Sequence, residues 1–348
     1  MTARRTPRPS FAIGSVRIRP GSGRELQIPI TTMVTGADVA LPVRVIHGRE
    51  DGPTVWVNAA IHGDEVVGVE VIRQVMARLS PKTLRGTLIA VPIVNVFGFT
   101  SGDRYLPDRR DLNRSFPGSA RGSLAARMAH LMMTEVVAKC TVGIDLHTGS
   151  DRRSNLPQIR CDLDDSETRA LAEAFHPPLL YHARLRDGSL RYAARERGAR
   201  VLLYEGGEAW RFDDWAIDAA VGGVLRVLHH LDMIDAAPAA PPDPMLVTRL
   251  SGWVRATMTG ILHTEAALGD IVEKGQRLGS LTNSFGRTLR VVRADRDGVV
   301  IGRTEAPLVN RGDALVHIAT LEDGPGDAAA GDGEDLVPEM AGSDEEER

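Results

Sequence analysis

Three segments of this sequence end in side chains that bind metal ions or transfer protons. NAAIHGDE places His62 and Glu65 three positions apart, IDLHTGS carries His147, and YEGGE carries Glu205 and Glu208. Two imidazoles and one carboxylate form the open three-ligand set of a catalytic zinc, with a fourth position left for water. A His-x-x-Glu pair alone is a weak signal, because polar residues in a strand-to-helix loop give the same spacing by chance. The recurrence in three segments favours the metal site.

Each segment follows an apolar stretch that predicts a buried strand. These stretches are residues 54–61, 141–146 and 199–204, with further strands predicted at 43–46 and 87–94. Helical periodicity separates them at residues 66–79, 124–139, 166–175 and 215–231. Apolar strands alternating with helices predict an α/β fold with a mixed, largely parallel sheet flanked by helices. Functional groups collect beyond the carboxyl ends of such strands, so we expect these side chains to meet.

A carboxylate beside a metal-activated water can take its proton and pass it to a leaving amine. Glu205 is preferred for this role because it directly follows the predicted strand, and Glu208 is the alternative. Asp145 lies two residues before His147, so on a strand the two side chains point the same way. Asp145 could therefore orient the imidazole. A turn contact at the end of the strand is the other interpretation.

An arginine-rich segment, RYLPDRRDLNRSFPG, follows the strand predicted at residues 87–94. It contains Arg104, Arg109, Arg110 and Arg114 among too many Pro and Asp residues for regular structure. A guanidinium group binds carboxylates bidentately, so one arginine could hold an anionic substrate group. A second could stabilise the oxyanion that forms when water attacks a carbonyl. A solvated surface loop is the alternative interpretation.

The composition narrows the class of protein. The 348 residues are 43% hydrophobic and 25% charged, with net charge −4 and a pI near 6.2, so no basic field for nucleic acid is present. Cys140 and Cys161 are too few for a disulfide framework or a thiolate-rich structural zinc site. No apolar run is long enough to span a bilayer, and the basic N-terminus lacks the apolar region of a secretory signal. We expect a cytoplasmic protein.

The pattern along the chain predicts five parts. These are N-terminal short β strands in residues 1–43, a catalytic domain in 44–235, a Pro-rich linker in 236–245, a β domain in 246–321 and a disordered acidic tail in 322–348.

The β domain contains two related halves, GILHTEAALGDIVEKGQRLGSL and GVVIGRTEAPLVNRGDALVHI. Together they resemble the barrel-sandwich fold of biotinyl and lipoyl domains. Those domains carry their cofactor on a lysine in the hairpin between the halves, and residues 281–298 contain none. We therefore expect a structural role or a role in assembly, which is compatible with a homodimer or homotetramer.

HGDE, DLNRSFPG, DLHTG and YEGGE, in this order and spacing, resemble the succinylglutamate desuccinylase/aspartoacylase family, a branch of the zinc carboxypeptidase-like hydrolases. The resemblance covers roughly residues 40–235. It implies one zinc ion per chain, held by His62, Glu65 and His147, with Glu205 as general base and acid.

The same resemblance implies that Asn113 and Arg114 hold a substrate carboxylate. The oxyanion arginine of the family lies in an Arg-Tyr pair, which Arg104 and Tyr105 match in type but with a gap two residues longer. Arg109 is therefore the alternative for that role.

The implied reaction is hydrolysis of an N-acyl group, acetyl or succinyl, from a small amino-acid derivative. The lack of a recognisable second-carboxylate site favours a neutral or basic amino acid. The alternative is a metallocarboxypeptidase that acts on peptide C-termini. A non-enzymatic binding role is disfavoured, because the ligand residues and Glu205 are all present.

Overall fold

The computed structural model describes residues 8–321, so the acidic tail expected at 322–348 lies outside the described residues. Within this range the α-helices are α1 (Val67–Arg78), α2 (Val96–Ser101), α3 (Leu124–Glu135), α4 (Ser166–Phe175), α5 (Leu190–Arg195) and α6 (Asp214–His230). Short 3-10 turns occur at Leu112–Arg114 and Val137–Lys139. The strands are β1 (Phe11–Ile13), β2 (Val16–Ile18), β3 (Ser22–Thr32), β4 (Asp38–His47), β5 (Glu50–Ala59), β6 (Arg85–Val91), β7 (Val142–His147), β8 (Arg153–Cys161), β9 (Leu179–His182), β10 (Arg200–Glu208), β11 (Leu246–Thr248), β12 (Leu250–Arg255), β13 (Gly260–Thr264), β14 (Ile271–Val272), β15 (Arg277–Thr282), β16 (Thr288–Arg293), β17 (Gly298–Thr304), β18 (Leu308–Val309) and β19 (Ala314–Thr320).

One mixed sheet runs through the molecule in the order β12-β19-β17-β8-β10-β7-β5-β6-β4-β3. Its four central strands, β10, β7, β5 and β6, are parallel to one another, and antiparallel strands flank them on both sides. This architecture confirms the α/β fold with a mixed sheet that the sequence predicted. None of the helices in residues 8–321 is long and apolar enough to cross a membrane.

The strand register determines which side chains share a face of the sheet. Asn58 of β5 pairs with Asp145 of β7, and Glu205 of β10 pairs with His147 of β7. Side chains of paired residues point the same way, and successive residues alternate between faces. Asn58, Asp145, His147 and Glu205 therefore project from a single face, at the carboxyl ends of the parallel strands.

The sheet has a hydrophobic core on each side. One core joins α1, α4 and α6 to side chains such as Val57, Leu146 and Tyr204. The other contains Trp56 and Val201 and joins α3 and α5 to the N-terminal strands. Trp56 lies two residues before Asn58, and Val201 lies four residues before Glu205, so the members of each pair project from the same face. The functional side chains therefore lie on the face of the sheet that packs against α3.

Two central strands differ from their predicted bounds. The strand predicted at 54–61 ends at Ala59, because Ala60 adopts a left-handed conformation with φ +50° and turns the chain. The strand predicted at 199–204 continues to Glu208, because β8 pairs with it beyond Tyr204. Glu205 thus lies inside a strand, which gives its side chain a defined direction.

The N-terminal strands also differ in length from the short strands expected. β1 and β2 have 3 residues each, but β3 has 11 and β4 has 10, and β4 pairs with β6 of the main sheet. A proline occupies position 29 within β3. It is accommodated because β3 is an edge strand with a register shift between Pro29 and Thr31.

The C-terminal strands form two facing sheets. β16, β15, β13 and β18 make one, while β12, β19 and β17, with β14 beside them, belong to the main sheet. The short strand of each half pairs with the first strand of the other half, β14 with β17 and β18 with β13. β17 also pairs with β8, so this unit continues the central sheet. We retain the division into a catalytic domain, a linker and a β domain as a proposal.

Candidate metal centre

The turn between β5 and α1 carries His62 and Glu65. It packs closely against α2, since a Cβ on Gly63 would lie 2.0 Å from the carbonyl carbon of Gly98. On its other side, the carbonyl of Asp64 accepts a hydrogen bond from the backbone N–H of Trp210 at 2.9 Å. The turn is thus held from both sides.

His62, Glu65 and His147 form a compact buried cluster whose ligand atoms all lie within 4.8 Å of one another. Nδ1 of His62 lies 2.7 Å from Oε1 of Glu65, and Nδ1 of His147 lies 2.7 Å from Oε2. The three residues that the sequence assigned to zinc are therefore brought together, each offering one donor atom to the same small volume.

Each histidine also has a carboxylate beside its other ring nitrogen. Oδ2 of Asp145 lies 3.0 Å from Nε2 of His147, a close approach at angles outside normal hydrogen-bond geometry. Oδ1 of Asp111 lies 3.3 Å from Nε2 of His62. If each ring carries its proton on Nε2, on the side of these carboxylates, the Nδ1 lone pair is free for a metal ion.

Carboxylates dominate the electrostatics of the cluster. Burial lowers the pKa of His147, but Asp145 and Glu65 outweigh burial and hold that pKa well above its usual value. Burial raises the pKa of Glu65, but His62 and His147 outweigh it and hold that pKa well below its usual value. Burial likewise raises the pKa of Asp111, and its contact with His62 brings it below normal. Two imidazole nitrogens surrounded by carboxylates form a set of donor atoms that suits a divalent cation.

Arg104 lies against this cluster. Its Nη1 donates to Oε1 of Glu65 at 2.9 Å, and its Nη2 lies 3.0 Å from Nε2 of His62. Arg104 and Asp111 thus compete for the same imidazole nitrogen, since a guanidinium only donates and a carboxylate only accepts. The side chain of Arg109, by contrast, is exposed, and no contact within residues 8–321 joins it to the cluster. The structure therefore brings Arg104 to the ligands and leaves Arg109 outside.

Asn113 and Arg114 lie on a 3-10 turn next to Asp111. Asn113 is buried, and its Oδ1 accepts a hydrogen bond from the backbone N–H of Leu190 at 2.9 Å. Arg114 is exposed, and its Nη1 donates to the carbonyl of Asn113 at 2.8 Å. The amide oxygen of Asn113 is thus used by the scaffold, while the Arg114 guanidinium is accessible from solvent.

Glu205 projects beside His147, and its Oε2 accepts a hydrogen bond from Nδ2 of Asn155 at 3.0 Å. Burial raises the pKa of Glu205, and Arg160 and His147 oppose this shift only in part. Glu208 has a different environment, because its Oε2 lies 2.8 Å from Nε of Arg211. A carboxylate of raised pKa beside a histidine that could bind a metal ion can act as a proton acceptor and donor.

Sequence reasoning missed three residues of this site: Asn58, Asp111 and Asn155. Asn58 Nδ2 donates to Oδ1 of Asp145 at 2.6 Å, and the strand register was the signal that could have found it. Asn155 lies on β8, which was not predicted because the strand contains Pro157. A register shift between Glu205 and Gly207 accommodates that proline. Asp111 offered no periodic signal, because tertiary folding alone brings its loop to His62.

Comparison with known proteins gives concordant matches. The succinylglutamate desuccinylase/aspartoacylase catalytic domain model matches residues 51–231. The chain is 31% identical over 312 residues to the N-alpha-acetyl-L-2,4-diaminobutyric acid deacetylase of Halomonas elongata, covering 85% of this chain and 90% of that protein. A succinylglutamate desuccinylase/aspartoacylase structure from Rhodobacter sphaeroides aligns with TM-score 0.76 and 25% identity, over 86% of this chain and 96% of that one. The product-bound ectoine utilization protein EutE (DoeB) from Ruegeria pomeroyi aligns with TM-score 0.78 and 24% identity, over 90% of this chain and 98% of that one, a likeness of fold.

Proposed function

We propose that this chain, which belongs to the succinylglutamate desuccinylase/aspartoacylase family, is a zinc-dependent amidohydrolase that removes an N-acyl group from a small amino-acid derivative. The observation that carries the proposal is the convergence of His62, Glu65 and His147 in one buried cluster, with Glu205 in register beside His147. These residues would supply a metal site and a proton-transfer group close to the carboxyl ends of β5, β7 and β10.

A zinc ion held by His62, Glu65 and His147 would activate a water molecule and polarise the acyl carbonyl. Glu205 accepts the proton of the attacking water at a carboxylate oxygen and delivers it to the nitrogen of the leaving amine. Its raised pKa suits both steps, since the carboxyl group must be ionised in one and protonated in the next. Arg104 donates a hydrogen bond to the oxyanion that develops on the carbonyl.

The class of substrate is inferred from Arg114 and from the relatives of this chain. The accessible guanidinium of Arg114 supports binding of a substrate carboxylate, with Asn113 fixing the turn that carries it. The relative from Halomonas elongata supports an N-acetyl amino acid as the first class to test, and the family supports N-succinyl amino acids as the second. The products would be a carboxylate and a free amine.

The position of the C-terminal unit favours a small substrate over a peptide end. β17 pairs with β8 next to Asn155, so a Cβ on Gly302 would lie 3.0 Å from the Oδ1 atom of Asn155. The C-terminal unit therefore lies directly beside Asn155, which donates a hydrogen bond to Glu205. This position supports a narrow entrance to the site.

Two further proposals concern the setting of the enzyme. Cys140 and Cys161 are free, which supports a reducing compartment such as the cytoplasm. A homodimer or homotetramer is the assembly that we expect, and size-exclusion chromatography with light scattering tests it.

Amine release from a panel of N-acetyl and N-succinyl amino acids, with and without a chelator, tests the function. We expect hydrolysis of at least one compound, and its loss when the chelator is added. Hydrolysis that is insensitive to the chelator would overturn the metal-dependent mechanism. Inactivity on the whole panel, together with cleavage of a C-terminal residue from peptides, would favour the metallocarboxypeptidase.

A further inference from the structure

Arg153 occupies a position on the functional face that no catalytic step described above uses. It lies two residues before Asn155 on β8, so its side chain projects from the same face as Asn155 and Glu205. β8 runs antiparallel to β10, and Arg153 is therefore further toward the carboxyl end of β10 than Asn155. This places Arg153 beyond Asn155, toward the edge of the sheet at which functional groups collect.

A row of register partners connects this position to the C-terminal unit. Asn155 pairs with Gly302 of β17, Gly302 pairs with His317 of β19, and His317 pairs with Trp253 of β12. Gly302 has no side chain, so Asn155 and Trp253 approach each other across it. A Cβ there would lie 3.0 Å from Oδ1 of Asn155 and 3.5 Å from the Trp253 ring. The aromatic ring of Trp253 thus reaches the site across the sheet.

Trp253 is a rigid support for the arginine. The guanidinium carbon of Arg153 lies 5.3 Å from the centre of the Trp253 ring, which in turn stacks on His317 with ring centres 4.5 Å apart. Nε2 of His317 lies 2.8 Å from the hydroxyl of Ser251, which is also 2.8 Å from the hydroxyl of Tyr181. Stacking restricts the arginine while leaving its N–H groups free to bind a ligand.

The charge of Arg153 is not matched by a neighbouring carboxylate. No acidic side chain within residues 8–321 lies within ion-pair distance of its guanidinium. Burial lowers the pKa of Arg153, the nearby cations Arg255 and Arg104 lower it further, and Asp313 opposes them. A partly buried cation beside two other cations is stabilised by an anion placed among them.

We propose that Arg153, stacked on Trp253, binds a carboxylate group of the substrate. The inference rests on the proposed function and deepens it, because the C-terminal unit then contributes to substrate selection. Two sources share this chemistry: the α-carboxylate of the amino acid, and a second carboxylate on a succinyl group or an acidic side chain. If the second carboxylate is that of an acidic side chain, the expectation of a neutral or basic amino acid would be wrong.

The test compares the full-length, zinc-loaded wild type with Arg153→Gln on the best substrate of the panel. A lost charge-assisted hydrogen bond should raise KM by about 10- to 100-fold and leave kcat within about threefold. Arg152→Gln is the matched control, since Arg152 is the adjacent, exposed arginine and should leave both constants unchanged. Trp253→Leu should raise KM less than Arg153→Gln does.

A comparison of related substrates shows which of the two carboxylates Arg153 binds. If the KM penalty disappears when the α-carboxylate is converted to an amide, Arg153 binds the α-carboxylate. If it disappears when succinyl is replaced by acetyl, or an acidic side chain by a neutral one, Arg153 binds the second carboxylate. A penalty of equal size on every compound, or no penalty, would overturn the inference.

Measurements of ligand binding test this inference independently of the proposed function. Calorimetry with Glu205→Gln and with Glu205→Gln/Arg153→Gln, using the same compounds, requires no turnover. If the double variant binds the compounds more weakly than Glu205→Gln and the two proteins have similar melting temperatures, Arg153 contributes to substrate binding. This conclusion holds even if no compound is hydrolysed. Equal binding, or no binding to either protein, overturns it. If Arg153→Gln fails to fold, Arg153→Lys replaces it. This variant should raise KM by a smaller factor, and the increase should depend on the substrate in the same way.

Discussion

Nδ2 of Asn58 lies 2.6 Å from Oδ1 of Asp145, in the interior of the sheet. The direction of this hydrogen bond follows from Trp56, whose indole N–H can only donate and does so to Oδ1 of Asn58 at 2.8 Å. The amide group of Asn58 must therefore donate, and Asp145 must accept. The other oxygen of Asp145 faces His147, so this chain of contacts connects the buried Trp56 to one of the three candidate metal ligands.

Asn58→Leu should weaken zinc binding by about 10- to 100-fold, because Asp145 loses the donor that orients it toward His147. A competition titration with a zinc chelator measures this effect. Tyr204→Phe is the control, since the Tyr204 hydroxyl donates to the carbonyl of Ala216 on the opposite face of the sheet. Equal zinc affinity in both variants would show that Asn58 does not support the metal site.

Glu205→Gln should reduce kcat by about 10²- to 10⁴-fold, because the amide cannot accept and return the proton. Zinc content should stay at the wild-type level, since Glu205 is not one of the three ligands. Glu208→Gln should retain activity within about threefold, because Glu208 is paired with Arg211. If Glu208→Gln were the inactive variant, the assignment of the base would be wrong.

Arg104→Gln should reduce kcat by about 10²- to 10³-fold through loss of the oxyanion donor. Arg109→Gln should have little effect, because the Arg109 side chain is exposed and away from the ligands. Steady-state kinetics on one substrate compare the two variants. The reverse ranking would assign the oxyanion to Arg109.

Gly143→Ala should destabilise the protein by about 3 kcal/mol, because overpacking a buried strand displaces its neighbours. A Cβ at this position would lie 2.1 Å from the Trp56 ring. Gly198→Ala is the control: its Cβ meets nothing within 4 Å, and its positive φ of +80° should cost about 1 kcal/mol. Chemical denaturation measures both, and similar values would indicate that the sheet adjusts around Trp56.

The sequence predicts this fold well where local pattern and burial agree. α4 has its predicted bounds of 166–175, and α1 differs from its prediction by one residue at each end. Both helices turn a regular apolar stripe toward the core. β8 was missed because it carries Pro157 and several polar side chains, which a bulge and the functional face accommodate.

The site could be predicted only in part for a similar reason. His62, Glu65 and His147 follow apolar strands, so the sequence indicates both their chemistry and their common edge. Loop packing brings Asp111 to His62, and the pairing of β8 with the C-terminal unit brings Arg153 to Trp253. Neither of these contacts produces a periodic pattern in the amino-acid sequence.

A zinc titration of the chelator-treated enzyme, with bound zinc and amine release measured on the same samples, tests whether the proposed metal is catalytic. We predict that the metal-free enzyme is inactive and that activity rises in proportion to bound zinc, up to one ion per chain. His147→Ala should neither retain zinc at that level nor recover activity. Full activity in the metal-free enzyme, or in His147→Ala, would contradict a catalytic metal held by His62, Glu65 and His147.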